Sequence, residues 1–502
     1  MPFFFFGTAK TAGFSGNSNG FRPVPIDIAL HMDYNAEASI SCAESTFGRE
    51  ILVNRSENRI KIQLSDHFTY SRLLRFTMPS ILMVIFTSIY GMVDGFFISN
   101  CVGKTAFAAV NLIIPFLQIL GGVGAMLGVG GSALVAKTLG QQDVPCAQRY
   151  FTMMMYLMVL TSVISTVVGI LVLRPVAYLF GATEELIGDI MTYGTICLLF
   201  DTALHAQYTF QSYLIVAEKP GFALGVVLAA GFSNMLLDFL FMQVLGMGVA
   251  GAALATVLSQ CIAGVLPFLW FLSRRNTSAL RFRKTKFELY PMLCACGNGA
   301  SEMLSSVSAS ITGILYNYQL MKYAGADGVA ACGVVMYAAF VFLGVFMGYS
   351  QGSSPIMGYH YGAQNHAEMK NVLRRSLILL SSAAVVLTAL AILLADPLAG
   401  LFVGYDAALH AMTVRAFRIC ALPFLVMWFN MYTSSFFTAL NDGAVSAAIS
   451  FARALLLPTV CVIVMPMLWQ LDGVWYSLVG SEVLGVFVSL GFLLGKRKKY
   501  QY

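Results

Sequence analysis

Two carboxylates and an amide stand out because they interrupt long apolar runs. Asp94 lies within residues 79–103, while Asn234 and Asp238 are four residues apart and would share one helix face. A carboxylate at the centre of a bilayer costs roughly 2.5–3.5 kcal/mol on insertion scales, so it must face protein, water or an ion. Hard oxygens of this kind suit Na⁺, and paired carboxylates can also hold a proton. The alternative is that Asp94 and Asp238 lie near helix ends, in water.

The composition indicates that these residues lie in a membrane. The 502-residue chain is 58% hydrophobic and 11% charged, whereas soluble proteins average about 25% charged residues. Apolar runs of about twenty residues recur to the C-terminus, which predicts an all-α polytopic membrane protein. We expect twelve transmembrane helices, at about residues 73–99, 105–137, 148–173, 187–217, 220–244, 247–272, 291–321, 328–358, 372–395, 407–439, 443–466 and 473–495.

The sequence contains an internal repeat. Residues 108–143 recur as residues 330–365 at one fixed offset, which includes a shared polar turn. The offset pairs Gly130, Ser132, Gly140, Gln142 and Asp143 with Gly352, Ser354, Gly362, Gln364 and Asn365. Because each half has an even number of helices, the two halves share one orientation, with a pseudo-twofold axis along the membrane normal. This is the parallel-repeat type of transporter, with the solute between two six-helix lobes.

Charge placement predicts the orientation and the domain boundaries. Basic residues cluster before the first helix and in the loops after helices 2, 6 and 8, so we expect both termini in the cytoplasm of a cell-membrane protein. The pair Arg415 and Arg418 lies against this rule. The predicted parts are a disordered tail (1–65), an N-lobe (66–272), a basic linker (273–290), a C-lobe (291–495) and a basic tail (496–502).

Several motifs resemble the multidrug and toxic compound extrusion (MATE) transporters. They are Pro79-x14-Asp94, Asn234-x3-Asp238, the segment GVAGAALAT at 248–256 and the turn SQGSSPIMGYHYGAQN at 350–365. The resemblance implies two lobes, a central cavity and export of organic solutes driven by inward Na⁺ or H⁺. It also implies an N-lobe ion site, at the matching positions Asp94, Tyr193, Asn234, Asp238 and Thr256. If the ion is Na⁺, its ligands would be Asp94, Asn234 and Asp238.

Further polar residues within apolar runs are candidates for the solute cavity. They are Asp201, Glu302, Asn317 and Gln351. Glu302 resembles an acidic residue that some family members carry in the second lobe. Asp201 and His205 could instead form interhelical hydrogen bonds, and we expect Arg453 to pair with a carboxylate or carbonyls in the bundle. Acidic groups among Met and aromatic residues favour amphipathic cations, although many of these apolar residues must face lipid.

We therefore predict a secondary antiporter and not an enzyme. There is no G-x4-G-K-[ST] or H-E-x-x-H motif in the sequence. We expect no cofactor other than the coupling ion, partners limited to a small organic solute and the bilayer, no nucleic acid, and a monomer. One alternative is a flippase for lipid-linked or other amphipathic metabolites, which would need a cationic cavity for a pyrophosphate. A membrane receptor or scaffold is the alternative from another class.

Overall fold

The computed structural model describes residues 62–404 and 406–502, so most of the predicted tail lies outside the described residues. The described residues form α-helices joined by short turns and, between Leu272 and Leu289, by a longer non-helical segment. They are α1 (Tyr70–Phe97), α2 (Lys104–Gly140), α3 (Val144–Leu179), α4 (Glu184–Leu199), α5 (Asp201–Val216), α6 (Pro220–Asp238), α7 (Gly248–Leu272), α8 (Leu289–Gly362), α9 (His366–Val403), α10 (Ala407–Ala421), α11 (Phe424–Ala439), α12 (Gly443–Phe451), α13 (Leu457–Gly495) and α14 (Arg497–Tyr500). Three π-helical turns follow α1, α6 and α12, at Ile98–Val102, Phe239–Val244 and Ala452–Leu456.

The described helices fit twelve crossings of a membrane. Eight stretches are long and apolar enough to cross alone, and two bent pairs raise the number to ten. The long helix α8 is interrupted at Gly325 (φ 60°, ψ −150°), and α13 is interrupted at Trp469 and Gln470. Dividing both helices at these breaks gives the twelve predicted segments. Gly325 is the repeat equivalent of Gly103, the turn glycine between α1 and α2, so the break marks a boundary inherited from the duplicated unit.

Two helices that the sequence predicts as continuous are each divided by a bend in the structure. The predicted helix at 187–217 is α4 and α5, bent by 54°, and the predicted helix at 407–439 is α10 and α11, bent by 48°. The first bend falls at Phe200, whose φ and ψ (−106°, 16°) leave the helical range. The second falls at Leu422 and Pro423, where proline removes a backbone donor. Both bends occupy the same place in the repeat.

The repeated polar turn has one backbone conformation in both halves. Gln142 and Gln364 have positive φ values of 63° and 55°, which reverse the chain after α2 and α8. Asp143 then caps α3 by accepting the Cys146 N–H (3.0 Å), and Asn365 caps α9 by accepting the Glu368 N–H (3.1 Å). The shared offset in the sequence therefore reflects a turn that needs these residue types.

The two halves touch at the basic side, which we define as the ends of α2, α8, α3 and α9 near residues 137–149 and 359–375. A Cβ on Gly140 would overlap the carbonyl oxygen of Tyr359, and a Cβ on Gly362 would overlap that of Lys137. The repeat pairs Gly140 with Gly362 and Lys137 with Tyr359, so the contact is pseudo-symmetric. Gln142 Nε2 also donates to Tyr359 Oη (3.0 Å). Backbone contact therefore closes the basic side.

Both described ends of the chain pack against this side. The backbone N–H of buried Leu64 donates to Glu218 Oε1 (2.8 Å), and that of Phe68 donates to Glu368 Oε1 (2.8 Å). At the other end, Tyr500 Oη donates to Asp442 Oδ2 (2.6 Å). Ile62 and Leu64, which fall within the tail predicted to end at residue 65, therefore belong to the packed part of the described chain.

Candidate ion site and candidate solute cavity

The two carboxylates of the predicted ion site lie at the ends of α1 and α6, each beside a π-helical turn. Asp94 is four residues before Ile98–Val102, and Asp238 directly precedes Phe239–Val244. The two turns are joined by Cys101 Sγ, which donates to Gln243 Oε1 (2.9 Å). Irregular π-helical turns are frequent at functional sites because they redirect side chains from the regular ladder.

The carboxyl groups of Asp94 and Asp238 lie close enough to interact directly with each other. Asp238 is fully buried and Asp94 is partly buried. Two ionised carboxylates are both acceptors, so they can bond only if a proton or a cation lies between them. Without one, two negative charges would face each other in a region of low polarity, which is costly.

The other three predicted ligands surround this pair. Asn234 lies one turn before Asp238 on α6 and is 2% exposed. Tyr193 of α4 is buried and lies beside Thr256 of α7, and it is close enough to Asp94 and Asp238 to interact electrostatically. Residues from four helices therefore converge on one buried position in the first half.

The convergence leaves acceptor oxygens without donors. In the described part of the chain, five buried side-chain oxygens at this position have no hydrogen-bond partner, namely Asp94 Oδ1, Asn234 Oδ1, Asp238 Oδ1 and Oδ2, and Thr256 Oγ1. Buried polar atoms are satisfied in the great majority of cases, so a cluster of exceptions needs a physical reason. Oxygen atoms without donors are what a hard cation such as Na⁺ needs, and a proton would satisfy part of the same set.

Sequence analysis did not single out two neighbours of this site. Tyr90, one turn before Asp94, lies within hydrogen-bonding reach of Gln207 and Thr87. Cys197, one turn after Tyr193, lies close to both Tyr193 and Asp94. The i, i+4 spacing from a predicted ligand is the signal that could have identified both residues.

Asp201 and His205 form a separate buried pair one turn apart on α5. Their side chains are 4% and 0% exposed, with His205 Nδ1 at 3.1 Å from Asp201 Oδ2 and also at 3.1 Å from the Asp201 carbonyl oxygen. Gly124 of α2 packs directly against His205. Asp201 lies outside the described wall of the solute cavity described next, and its contact with His205 lies within α5 and not between helices.

A cavity of about 860 Å³ lies between the halves, with four described lining residues from α2 and the others from the second half. Its described wall is formed by Asn111, Ile114, Pro115, Gln118, Glu302, Ser305, Ser306, Ala309, Ser310, Gly333, Met336, Phe340, Leu343, Met347, Ser350, Gln351, Met431, Ser434, Ser435, Ser450, Arg453 and Ala454. Glu302 and Gln351, two of the four candidates from the sequence, line this cavity. Asn317 is exposed and lies outside the described wall. The volume suits a drug-sized organic molecule.

One of the two charged residues of the described cavity wall, Arg453, is paired with a carboxylate outside the wall. Arg453 Nε donates to Glu482 Oε1 (3.2 Å), which confirms the predicted pairing of Arg453 with a carboxylate. Asn430 Nδ2 donates to Glu482 Oε2 (2.8 Å), and Ser489 Oγ donates to Asn430 Oδ1 (2.8 Å). Both oxygens of Glu482 are therefore engaged, and the guanidinium is fixed at the wall.

The hydroxyl-rich wall was also missed from the sequence. Ser305, Ser306 and Ser310 follow Glu302 at three, four and eight residues along α8, which is the spacing of one helix face. This spacing was visible in the sequence and would have placed a polar stripe beside Glu302.

Comparison with known proteins matches both halves of the chain to one family. The MatE family model matches residues 79–240 and again residues 303–463, one match in each half. The multidrug export protein MepA of Staphylococcus saprophyticus is 22% identical over 83% of this chain and 91% of its own length. MepA of Staphylococcus aureus is 21% identical over 83% and 91%.

Solved structures share the fold. A MATE structure in complex with MaL6 has a TM-score of 0.81 at 20% identity, covering 87% of this chain and 97% of that one. A structure described as the outward-facing conformation of a multidrug resistance MATE family transporter of the MOP superfamily has a TM-score of 0.81 at 21% identity, with the same coverage. The two-lobe helical fold and the double match agree, and the chain belongs to the MatE family, a family of membrane transporters and not of enzymes.

Proposed function

We propose that this protein is a secondary antiporter that exports organic compounds across the cell membrane in exchange for Na⁺ or H⁺. The observation that carries the proposal is the cluster of five buried acceptor oxygens without donors around Asp94 and Asp238. Such a cluster is costly when empty and favourable with a cation or proton bound, so its occupancy can bias a conformational equilibrium. The multidrug export named for the staphylococcal relatives supports the same direction of transport.

The state of the two halves fits alternating access. The loops at the basic side would face the cytoplasm, with both termini, by the positive-inside rule. Because Gly140 and Gly362 close that side by backbone contact, the described state would then be closed to the cytoplasm. The ion would bind at Asp94, Tyr193, Asn234, Asp238 and Thr256 when that site faces outward. Its release inside would then accompany reopening of the basic side to load solute.

The exported solute would be a small amphipathic compound with a cationic group. Glu302 supplies a carboxylate at the cavity wall, and Met336, Met347 and Phe340 supply adaptable apolar contacts. We propose that the working unit is a monomer in the bilayer, since the cavity and the ion cluster are both formed within one chain.

Transport in proteoliposomes tests this proposal. The purified protein would be reconstituted with dansylcadaverine, a fluorescent amphipathic amine, and given an inward Na⁺ gradient or an inward proton gradient, each alone. We expect one of the two gradients to drive efflux, and addition of the amine to stimulate movement of that ion. Liposomes carrying the Asp94→Asn/Asp238→Asn variant are the matched control. A receptor or scaffold would give neither flux, and that result would overturn the proposal.

A further inference from the structure

We propose that the cavity selects amphipathic zwitterions, with the ammonium group of the solute at Glu302 and its carboxylate at the terminal nitrogens of Arg453. The inference rests on the proposed transport function for the direction of movement, but not for the binding preference itself. It follows from two wall residues of opposite charge that each keep hydrogen-bonding capacity toward the cavity.

Glu302 is the uncommitted anion of the wall. It lies on α8 at the edge of the cavity, and its side-chain carboxylate accepts no hydrogen bond from any described residue. Ser306 Oγ donates to the backbone carbonyl oxygen of Glu302 (3.2 Å) and leaves the carboxylate oxygens unbound. An ammonium group of a solute would therefore find an acceptor with no competing donor.

Arg453 is held from behind, which leaves its outer end available. Its Nε contacts Glu482, whose second oxygen accepts from Asn430, so the pair is fixed from one side. Nε is the only atom of Arg453 that hydrogen-bonds within the described residues, and the side chain is 20% exposed. The two terminal nitrogens of a guanidinium form a planar fork that matches a carboxylate in a bidentate manner. The guanidinium can thus contact Glu482 through Nε and a solute carboxylate through its two terminal nitrogens.

The two charged groups stay apart, which leaves space for a solute. Glu302 and Arg453 interact electrostatically, but they do not form an ion pair with each other in the described structure. A simple cation would satisfy Glu302 and be repelled by Arg453, and a simple anion would experience the reverse. A molecule with both groups satisfies both ends, while Met336 and Phe340 contact its apolar body.

Three dansyl compounds that differ by one charged group test the preference. Nε-dansyl-lysine carries an ammonium and a carboxylate, dansylcadaverine lacks the carboxylate, and Nα-acetyl-Nε-dansyl-lysine lacks the ammonium. Equilibrium binding to purified protein in detergent would be followed by dansyl fluorescence, with no ion gradient. We expect Nε-dansyl-lysine to bind about tenfold or more tightly than either truncated probe, because each loses one charge-assisted contact. Equal or tighter binding of dansylcadaverine, or no binding of Nε-dansyl-lysine, would overturn the inference.

Two variants assign the effect to residues. Arg453→Gln combined with Glu482→Gln removes the guanidinium without leaving a buried carboxylate unpaired. We expect it to abolish the preference for Nε-dansyl-lysine over dansylcadaverine, because Nε-dansyl-lysine loses its carboxylate contact and dansylcadaverine loses the repulsion from Arg453. The matched control is Arg415→Gln with Asp472→Asn, an ion pair outside the cavity, which should keep the preference. A preference that survives the first variant would contradict the assignment. Failure of gradient-driven transport with the binding order intact would count against the antiport proposal alone.

Discussion

The two halves of this transporter have the same backbone plan but place their charges differently. The offset that pairs Gly140 with Gly362 also pairs Asp94 with Tyr316. Asp94 lies in a cluster of unpartnered oxygens, whereas Tyr316 Oη accepts a hydrogen bond from Ser477 Oγ (2.9 Å). The position that carries a charge in the first half is therefore neutral and satisfied in the second.

The second half has its buried charges elsewhere and neutralises most of them internally. Arg453, Glu482, Asn430 and Ser489 form a connected network, and Glu302 alone presents an unbonded carboxylate to the cavity. A network whose polar atoms are all hydrogen-bonded holds side chains in place, whereas a cluster of buried atoms without hydrogen bonds favours the binding of a ligand. The difference fits the proposal that duplication kept the fold and that the two halves then diverged, with the proposed ion site in one half and most of the described wall of the candidate solute cavity in the other.

The largest predicted effect comes from a variant of the proposed ion site in the first half. Asp238→Asn keeps the side-chain volume but removes one charge from the cluster, so we expect gradient-driven efflux to be abolished. Binding of dansylcadaverine without a gradient should remain unchanged, because Asp238 does not line the cavity. Proteoliposome efflux and fluorescence binding measure the two quantities. Asp327→Asn, at an exposed carboxylate, is the control and should behave as wild type. Normal gradient-driven efflux in Asp238→Asn would show that the coupling ion does not bind at this position of the first half.

A variant of the cavity wall in the second half should weaken solute binding and leave the response to the ion gradient intact. Glu302→Gln removes the carboxylate that faces the cavity, and we expect dansylcadaverine binding to weaken by about tenfold or more. At saturating probe, efflux should still respond to the gradient because the ion cluster is intact. Loss of the gradient response in Glu302→Gln at saturation would mean that the second half also takes part in ion coupling.

A smaller effect tests the symmetry of the contact between the halves. Gly140→Ala and Gly362→Ala each place a methyl group against a carbonyl oxygen of the other half, and overpacking of this kind costs about 1–3 kcal/mol. We expect both variants to shift the population toward an open basic side by a similar amount. Spin labels at positions 141 and 367, after replacement of the native cysteines, would report the distance.

The matched control for this pair is Gly221→Ala. Gly221 also begins a helix near the basic side, but a Cβ there meets no described atom within 4 Å. Its distance distribution should equal that of the unsubstituted protein. If only one of the two contact glycines shifts the distribution, the pseudo-symmetry of the closure has no functional counterpart.

The smallest predicted effect concerns Asp442, a residue of the second half whose carboxylate contacts Tyr500 and Lys499 of the C-terminal segment. Burial raises the pKa of Asp442, but the hydrogen bond from Tyr500 and the charge of Lys499 outweigh it and hold the pKa below its usual value. This stabilisation is present above pH 4 or so and is lost as the pH falls through the lowered native pKa. Tyr500→Phe should cost no more than about 1 kcal/mol near neutral pH, since Asp442 remains partly solvated.

Thermal unfolding at several pH values measures this contribution. The difference between Tyr500→Phe and wild type should narrow as the pH falls below about 4. Tyr318→Phe, at an exposed tyrosine, should show no difference at any pH. A constant difference for Tyr500→Phe across pH would assign the effect to ring packing and not to Asp442.

The fold was largely predictable from the sequence, because apolar runs and the repeated turn report on local physics. The caps at Asp143 and Asn365 are visible as residue types at equivalent positions. The bends at Phe200 and Leu422 were not predicted. Pro423 was a signal for the second bend that the sequence offered. The first bend has no such residue, and nothing in the apolar pattern distinguishes a bent helix from a straight one.

The candidate sites were predictable in part. Asp94, Asn234 and Asp238 stood out because a polar group in an apolar run is costly wherever the chain folds. The cavity position of Arg453 was not predictable, since its orientation depends on Glu482 on another helix. Asn317 illustrates the opposite error, because a polar residue in a predicted helix can equally face outward.

Ion binding to the purified protein, without solute and without a gradient, tests the division of labour most directly. Uptake of ²²Na⁺ and uptake of protons from unbuffered solution would each be counted per chain for wild type, Asp238→Asn and Glu302→Gln. We expect one of the two ions to bind to wild type and to Glu302→Gln, and to be lost from Asp238→Asn. Ion binding that persists in Asp238→Asn and disappears in Glu302→Gln would place the ion in the second half and contradict the account.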